Sequence, residues 1–385
     1  MCVTKLLKEL IHNELWGEQL SFSSIDKKDF SALQNIANMQ TVNGLVYSSL
    51  INNNVKLPQQ EALVAFGSLE NTKKANLLLN KNLIFLTELL EKHNIKFFVV
   101  KGQTIANSYP RPLHRVGGDI DFYCFAEDLE RLLSILHKEL NVEPKRDESE
   151  QHYTFLFNKT LFELHFTLYK FANTENQQYF DNLINSEPLS YTFIDNKKIP
   201  TLNPTLNLAY TFLHLFHHLI ELGVGLRQFC DVAILCHIAA MAEQEGDRKN
   251  CIDKAKLIEI LTRLDFLKAF TAIGTVLVDE IGLPKAEFPY TLTKKDYKRK
   301  KYILNVVYKR GNFGKYGRTT KVRSGIKYYI EQTNIKLSHY YHLFNLSRKE
   351  NIALITKEIP KKILQALRRC TYKNIKRADY KRRSS

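Results

Sequence analysis

The chain has 385 residues, 44% hydrophobic and 25% charged, a balance that supports ordinary buried cores in two or three structural units and excludes a disordered polymer. Its six cysteines, Cys2, Cys124, Cys230, Cys236, Cys251 and Cys370, include no Cys-x-x-Cys pair, which argues against a disulfide framework or a thiolate zinc site and for a reducing compartment. The net charge of +16 is unevenly held: residues 294–385 carry 27 Lys and Arg against 5 Asp and Glu, leaving 29 against 35 in the remainder, so the C-terminal region is either a solvated tail or a surface for phosphate, nucleic acid, an acidic partner or an anionic membrane.

Met1 to Leu20 is helix-like, but Lys5, Lys8, Glu9 and Glu14 interrupt the apolar run that a secretory signal needs, so a cytoplasmic location is expected. Helical spacing continues through Leu33, Ile36 and Met39 and then from Glu61 to Lys92, predicting a helical N-terminal region over 1–95 with a stop at Asn94. Lys96 to Val100 is a short β-rich run ending at Lys101-Gly102, which predicts a buried strand and a tight turn into a helix over Gln103–Ser108. The prolines of Tyr109-Pro110-Arg111-Pro112 enforce a loop. Gly117-Gly118 then introduces a strand from Asp119 to Phe125, followed by an amphipathic helix from Glu127 to Leu140. His152–Phe157 and Leu161–Tyr169, separated by Asn158-Lys159-Thr160, predict an antiparallel hairpin.

These elements predict a small mixed α/β core over 96–200, a helical region over 201–293 and a basic, aromatic-rich region over 294–385. Leu206 to Leu226 is the most apolar long segment, yet Asn207, His214, His217, His218 and Glu221 make it too polar for a membrane span, so a buried helix and no transmembrane segment are expected. In the last region, basic residues alternate with Tyr297, Tyr302, Tyr308, Phe313, Tyr316, Tyr328, Tyr329, Tyr340 and Tyr341. That pattern fits aromatics packing inward and also single-stranded RNA binding; packing is preferred because no RNA-binding motif accompanies it.

The chemistry-bearing residues concentrate in the core. The two-residue period of a strand puts Asp119 and Asp121 on one face and Ile120, Phe122 and Cys124 on the other. Like charges on one face repel unless solvated or bridged, and hard oxygen ligands of this kind suit Mg²⁺ or Mn²⁺. Leu161 to Tyr169 alternates again, with Glu163, His165 and Thr167 opposite Phe162, Leu164, Phe166 and Leu168, so Glu163 offers a third carboxylate. Three such acids can hold two metal ions around a phosphoryl group. Lys101 and Arg115 either supply positive charge to phosphates or form surface salt bridges. His214 and His218 share a helix face, for packing, a hydrogen bond to the core or metal ligation, and Arg227 and Asp231 are spaced for an intrahelical ion pair.

The order Val100-Lys101-Gly102, Tyr109-Pro110 with Arg115, Gly118-Asp119-Ile120-Asp121 and Glu163-Leu164-His165 resembles an uncharacterised bacterial nucleotidyltransferase family of the DNA polymerase β-like superfamily. The likeness spans about residues 60–240 and includes Leu208-Ala209-Tyr210 through His214, His218, Gly225-Leu226-Arg227 and Asp231. The resemblance implies an α+β fold, a small mixed-sheet nucleotidyltransferase core flanked by helical N- and C-terminal regions. It also implies catalytic and metal-holding roles for Asp119, Asp121 and Glu163, and nucleotide-binding positions at Lys101, Gly102, Gln103, Arg115 and Gly118. Better-studied members of the superfamily place a second small residue where Gln103 stands, so the phosphate-loop geometry departs from theirs. The implied reaction moves an NMP from a nucleoside triphosphate to an acceptor oxygen with Mg²⁺ or Mn²⁺. The alternative is a catalytically inactive module of the same fold whose basic C-terminal region contacts RNA or another polyanion.

Overall fold

The computed structural model describes residues 2–147, 151–221, 223–319 and 326–358. Four helices lead into the core: α1 (Val3–Trp16), α2 (Lys27–Gln40), α3 (Asn43–Asn52) and α4 (Gln59–Lys92). Asp26 caps α2, accepting a hydrogen bond from Asp29 N at 2.7 Å. The 34-residue α4 is about 51 Å long at 1.5 Å per residue. Only its second half has an unbroken apolar stripe, and there Leu79, Leu83, Leu86 and Leu90 are buried against the sheet.

A seven-stranded mixed sheet forms the centre, built from β1 (Phe97–Val100), β2 (Asp119–Cys124), β3 (Lys145–Arg146), β4 (His152–Phe157), β5 (Thr160–His165), β6 (Leu189–Ile194) and β7 (Lys197–Leu202) in the order β3-β4-β5-β2-β1-β7-β6. Two pairings, β2 with β5 and β1 with β7, are parallel. The helices α5 (Gly102–Ala106), α6 (Leu129–Leu140) and α7 (Thr174–Ser186) lie between strands in sequence. The fold is therefore α+β, a mixed sheet flanked by helices.

The alternation of β2 sorts the two faces of the sheet. Ile120, Phe122 and Cys124 join Phe97, Val99, Phe162, Leu164 and Phe155 in a core beneath α4 and α6. On the opposite face, Phe98, Val100 and Tyr123 join the larger core formed with the N-terminal helices and with α8 (Pro204–Glu221), α9 (Leu226–Glu245), α10 (Lys254–Arg263) and α11 (Leu267–Val276). Asp121 is on this second face, beside Val100 on β1.

Several expectations need correction at their edges. The hairpin turns on two residues, Asn158 at φ 45° and Lys159 at φ 61°, because a two-residue turn of this twist needs both in the left-handed region. Its second strand ends at His165, and beyond it Leu168 joins the other core from Phe162 and Leu164. The helix after Gly102 stops at Ala106. A second hairpin, β6–β7, closes on Asp195 and Asn196, both with positive φ; that Asp-Asn pair between two β-rich runs was its signal in the sequence. The apolar segment from Leu206 is two helices, α8 and α9, separated around Gly223 and Gly225.

The C-terminal region contributes α12 (Lys300–Arg310), α13 (Ile326–Leu343) and α14 (Arg348–Ala353). Tyr340 is buried, its hydroxyl donating to Glu221 Oε1 at 2.7 Å, and Tyr308 is tied to Glu280, whereas Tyr341 is 80% exposed. The side chains of Tyr328 and Tyr329, and everything after Glu358, lie outside the described residues. Among the described residues no helix is long and apolar enough to cross a membrane.

Gln40 joins three of these parts. Fully buried at the end of α2, it donates to Val307 O in α12 and accepts from Leu226 N at the start of α9, each at 3.0 Å. Gly225 makes this approach possible, since a Cβ there would stand 2.8 Å from Gln40 O and 3.4 Å from Asn312 Cβ. Gly225→Ala is expected to destabilise the protein by about 1–3 kcal/mol through overpacking; a urea-unfolding midpoint equal to that of the parent would show that the contact relaxes freely.

Candidate active site

The site begins at the end of β1. Lys101 has φ 56° and ψ −147°, a sparsely populated conformation for a residue with a side chain, and Gly102 follows at φ 41°. Thr104 secures the bend, its backbone N–H and hydroxyl both donating to Lys101 O, at 3.0 and 2.7 Å. The bend aims Lys101 at β2, where Nζ donates to Asp121 Oδ1 at 2.9 Å and stands 5.5 Å from the Tyr210 ring centroid.

The parallel register of β2 and β5 makes Asp121 and Glu163 direct neighbours, with Asp119 one step along on the same face. Asp121 is buried; desolvation opposes its charge, but the Lys101 ammonium and the hydrogen bond from His165 Nε2 at 2.9 Å outweigh it and hold the carboxyl well below its ordinary range. Asp119 behaves in the opposite way. Burial, then the charges of Asp121 and Glu163, push its carboxyl up to about 6, and the opposing pull of Lys101 and Arg227 is smaller. The acids thus form a site with unrelieved negative charge at Asp119, which fits a divalent cation held by Asp119, Asp121 and Glu163.

A histidine pair backs the lysine. His214 Nδ1 is 3.5 Å from Lys101 Nζ, and His214 Nε2 is 3.0 Å from His218 Nε2. An ammonium only donates, so His214 Nδ1 accepts, its Nε2–H donates, and His218 carries its proton on Nδ1. Burial and the neighbouring positive charges keep both rings neutral: His214 is driven well below its ordinary value and His218 down to about 3. Of α8's histidines, His214 thus accepts from the core lysine and His218 accepts from His214 behind it.

These groups face a cavity of about 430 Å³ that is also lined by Gly102, Arg115, Gly118, Arg227 and Phe313. Of the nucleotide-binding positions expected from sequence, Gln103 is not on the lining: its side chain is buried and donates to Asn80 Oδ1 of α4 at 2.6 Å. Arg115 lines the cavity but is paired, with Nε and Nη2 donating to the two oxygens of Asp231 at 2.6 and 2.8 Å while Tyr109 Oη donates to Oδ1 at 2.6 Å. The expected Arg227–Asp231 ion pair is therefore replaced by Arg115–Asp231, because the loop after α5 brings Arg115 in with bidentate geometry. Arg227 instead donates from Nη1 to Val116 O at 2.8 Å, and its buried Nε has no hydrogen-bond partner among the described residues.

The sequence alone does not single out Phe313. It has φ 55° and ψ 25°, is 38% exposed and packs edge-on to His218 with ring centroids 5.0 Å apart. It brings the basic C-terminal region to the cavity wall.

A family model described as "Uncharacterised nucleotidyltransferase" matches residues 26–278. The chain belongs to that family. In this nucleotidyltransferase family member, the matched segment contains the three acids, Lys101, the α8 histidines and Arg227, whereas Phe313 lies beyond it. Among solved structures, an antigenic nucleotidyltransferase-like protein from Paracoccidioides brasiliensis aligns with 15% identity over 55% of this chain and 97% of its own, at a TM-score of 0.34. A comparison with curated proteins found no match.

Two stability measurements follow from these charges. The native fold holds the Asp119 proton to about pH 6, above the ordinary carboxyl value of 3.8, so it binds more protons than the unfolded chain between those values and loses stability as pH rises through that window. Asp119→Asn should therefore stabilise the protein at pH 7.5 by about 1–2 kcal/mol in metal-free buffer, with the gain fading toward pH 4; a pH-independent difference in unfolding free energy would contradict the charge origin. Asp231→Ala strands the buried Arg115 guanidinium and should cost about 3–5 kcal/mol in urea unfolding, whereas a loss below about 1 kcal/mol would show that Arg115 is not held by this pair.

Proposed function

We propose that the chain transfers an NMP from a nucleoside triphosphate to an acceptor oxygen, releasing pyrophosphate. The observation that carries this reading is the convergence of Asp119, Asp121 and Glu163 from two parallel strands onto one face of a cavity that is also lined by two half-buried cations, Lys101 and Arg227.

Asp119, Asp121 and Glu163 are the residues to hold Mg²⁺ or Mn²⁺. A divalent ion held there would supply positive charge to orient the triphosphate and offset the charge that develops on the leaving pyrophosphate. Lys101 and Arg227 are the side chains to meet the triphosphate. Burial lowers the Arg227 pKa, with Arg115 adding to that effect, and an anion at its unpartnered Nε would offset both. The Gly102 turn and Gly118 leave backbone accessible at the cavity wall. Arg115 acts from behind, fixing α9 through Asp231 so that Arg227, one turn earlier on that helix, faces the cavity. In the reaction, the acceptor oxygen bonds to the α-phosphorus, the bond to the bridging oxygen breaks, and Glu163 takes the acceptor's proton. Catalysis is then mostly positioning and charge stabilisation.

The test is to incubate the full chain with each α-labelled NTP, Mg²⁺ or Mn²⁺ and a cell extract containing small molecules and RNA. Label should move to an acceptor, and Asp121→Ala and Asp119→Ala should each lower the transfer by about 10²–10³-fold or more while the circular dichroism spectrum stays that of the parent. A folded Asp121→Ala protein with full transfer would overturn the assignment.

A further inference from the structure

The antiparallel pairing of β4 and β5 makes His152 and His165 direct neighbours, with Glu163 on the same face two residues before His165. Both imidazoles direct Nε2 at the same carboxylate: His165 Nε2 is 3.5 Å from Glu163 Oε2, and His152 Nε2 is 4.0 Å from Glu163 Oε1. One ligand atom from each of the three residues can be chosen so that all lie within 4.8 Å of one another. Donor atoms bonded to one ion at about 2.1 Å stand about 3.0 Å apart in octahedral and about 3.4 Å apart in tetrahedral geometry, so small side-chain rotations would close the three around a cation. His165 Nε2 is also 2.9 Å from Asp121 Oδ1, an ordinary spacing for neighbouring ligands of one ion. His165 Nε2–H donates to the ionised Asp121, while its buried Nδ1 has no hydrogen-bond partner among the described residues, so an ion taking Nε2 would shift that proton to Nδ1. The side chains of His152 and Glu163 are 17% and 21% exposed and line the cavity, which gives an ion a path in.

We propose that His152, Glu163 and His165 form a transition-metal subsite that binds Zn²⁺, Co²⁺ or Mn²⁺ in preference to Mg²⁺. Mg²⁺ favours oxygen ligands and near-ideal octahedral geometry, whereas imidazole nitrogen suits the later divalent ions and raises their affinity in the order Mn²⁺ < Co²⁺. The subsite shares Glu163 with the acidic set and rests on the nucleotidyl-transfer reading for the use made of the ion. An ion here would carry Glu163 and the Asp121 neighbour His165 as one unit, linking the β4–β5 hairpin to the acids of β2.

The experiment uses the full chain, stripped with EDTA and titrated with CoCl₂ under visible absorption, alongside calorimetry with MgCl₂, MnCl₂ and ZnCl₂. The expected result is a nitrogen-ligated cobalt spectrum with affinity at least about 10²-fold tighter for Co²⁺ and Zn²⁺ than for Mg²⁺. His152→Ala and His165→Ala should each weaken Co²⁺ binding by at least about 10-fold and shift the spectrum. Because His165 is buried and its replacement could disturb the fold, the partly exposed His152→Gln variant serves as the independent check. Unchanged cobalt affinity and spectrum in His152→Ala and His152→Gln, or Mg²⁺ binding as tight as Zn²⁺, would overturn the subsite. Mg²⁺-dependent label transfer that survives those variants would leave nucleotidyl transfer standing alone, and histidine-dependent cobalt binding without transfer to any acceptor would leave the metal subsite alone.

Discussion

The site depends on one pairing, the parallel alignment of β2 with β5. Parallel strands need a crossover, and here the chain between them supplies α6 and the β3–β4 edge of the sheet before returning as β5. The register then decides everything on the cavity face: Asp121 opposite Glu163 and Tyr123 opposite His165. A slip of one residue would turn Glu163 and His165 into the core beneath α4 and bring Phe162 and Leu164 to the cavity. That core resists the slip, since Phe162 and Leu164 are buried with Phe122, Ile120 and Phe155. The hydrophobic face of the sheet therefore positions the acids on its other face.

Concentrated charge is tolerated there through an uneven division of partners. Asp121 has the ammonium of Lys101 and the imidazole of His165, and is held ionised. Asp119 shares the neighbourhood without comparable relief and holds its proton to about pH 6. Pairs of acids whose environments drive their ionisation apart are a feature of functional sites, because such an arrangement costs stability and persists where a ligand or an ion relieves it. The strained backbone of Lys101 has the same character: it aims the ammonium at Asp121 and within reach of His214, and is secured by Thr104.

A second buried charge system supports the first without sharing its acids. Arg115, Asp231 and Tyr109 form a closed set with bidentate geometry between the proline loop and α9. Closing that set leaves Arg227 on the cavity side. Phe313 completes the wall from the C-terminal region, and the Gly311–Gly314 turn that carries it docks against Gly223, where a side chain would crowd Gly314. A region marked in sequence by its charge thus contributes an aromatic edge to the cavity.

Local periodicity determined what lies within each element. The two-residue period placed Asp119 with Asp121 and Glu163 with His165, the hairpin followed from two β-rich runs around Asn158-Lys159-Thr160, and α4 followed from its spacing to Lys92. The resemblance carried by Lys101-Gly102 and Gly118-Asp119-Ile120-Asp121 reached the family that matches the chain. What the tertiary structure decided was partnership between elements: Arg115 with Asp231 in place of Arg227, Gln103 with Asn80 away from the cavity, Lys101 with Asp121 and His214, and His152 across from His165. The physical reason is that a strand or helix period fixes which residues share a face, a short-range property of the backbone. The partner of a buried charge is set by the register and packing of segments far apart in the chain, to which no local spacing refers.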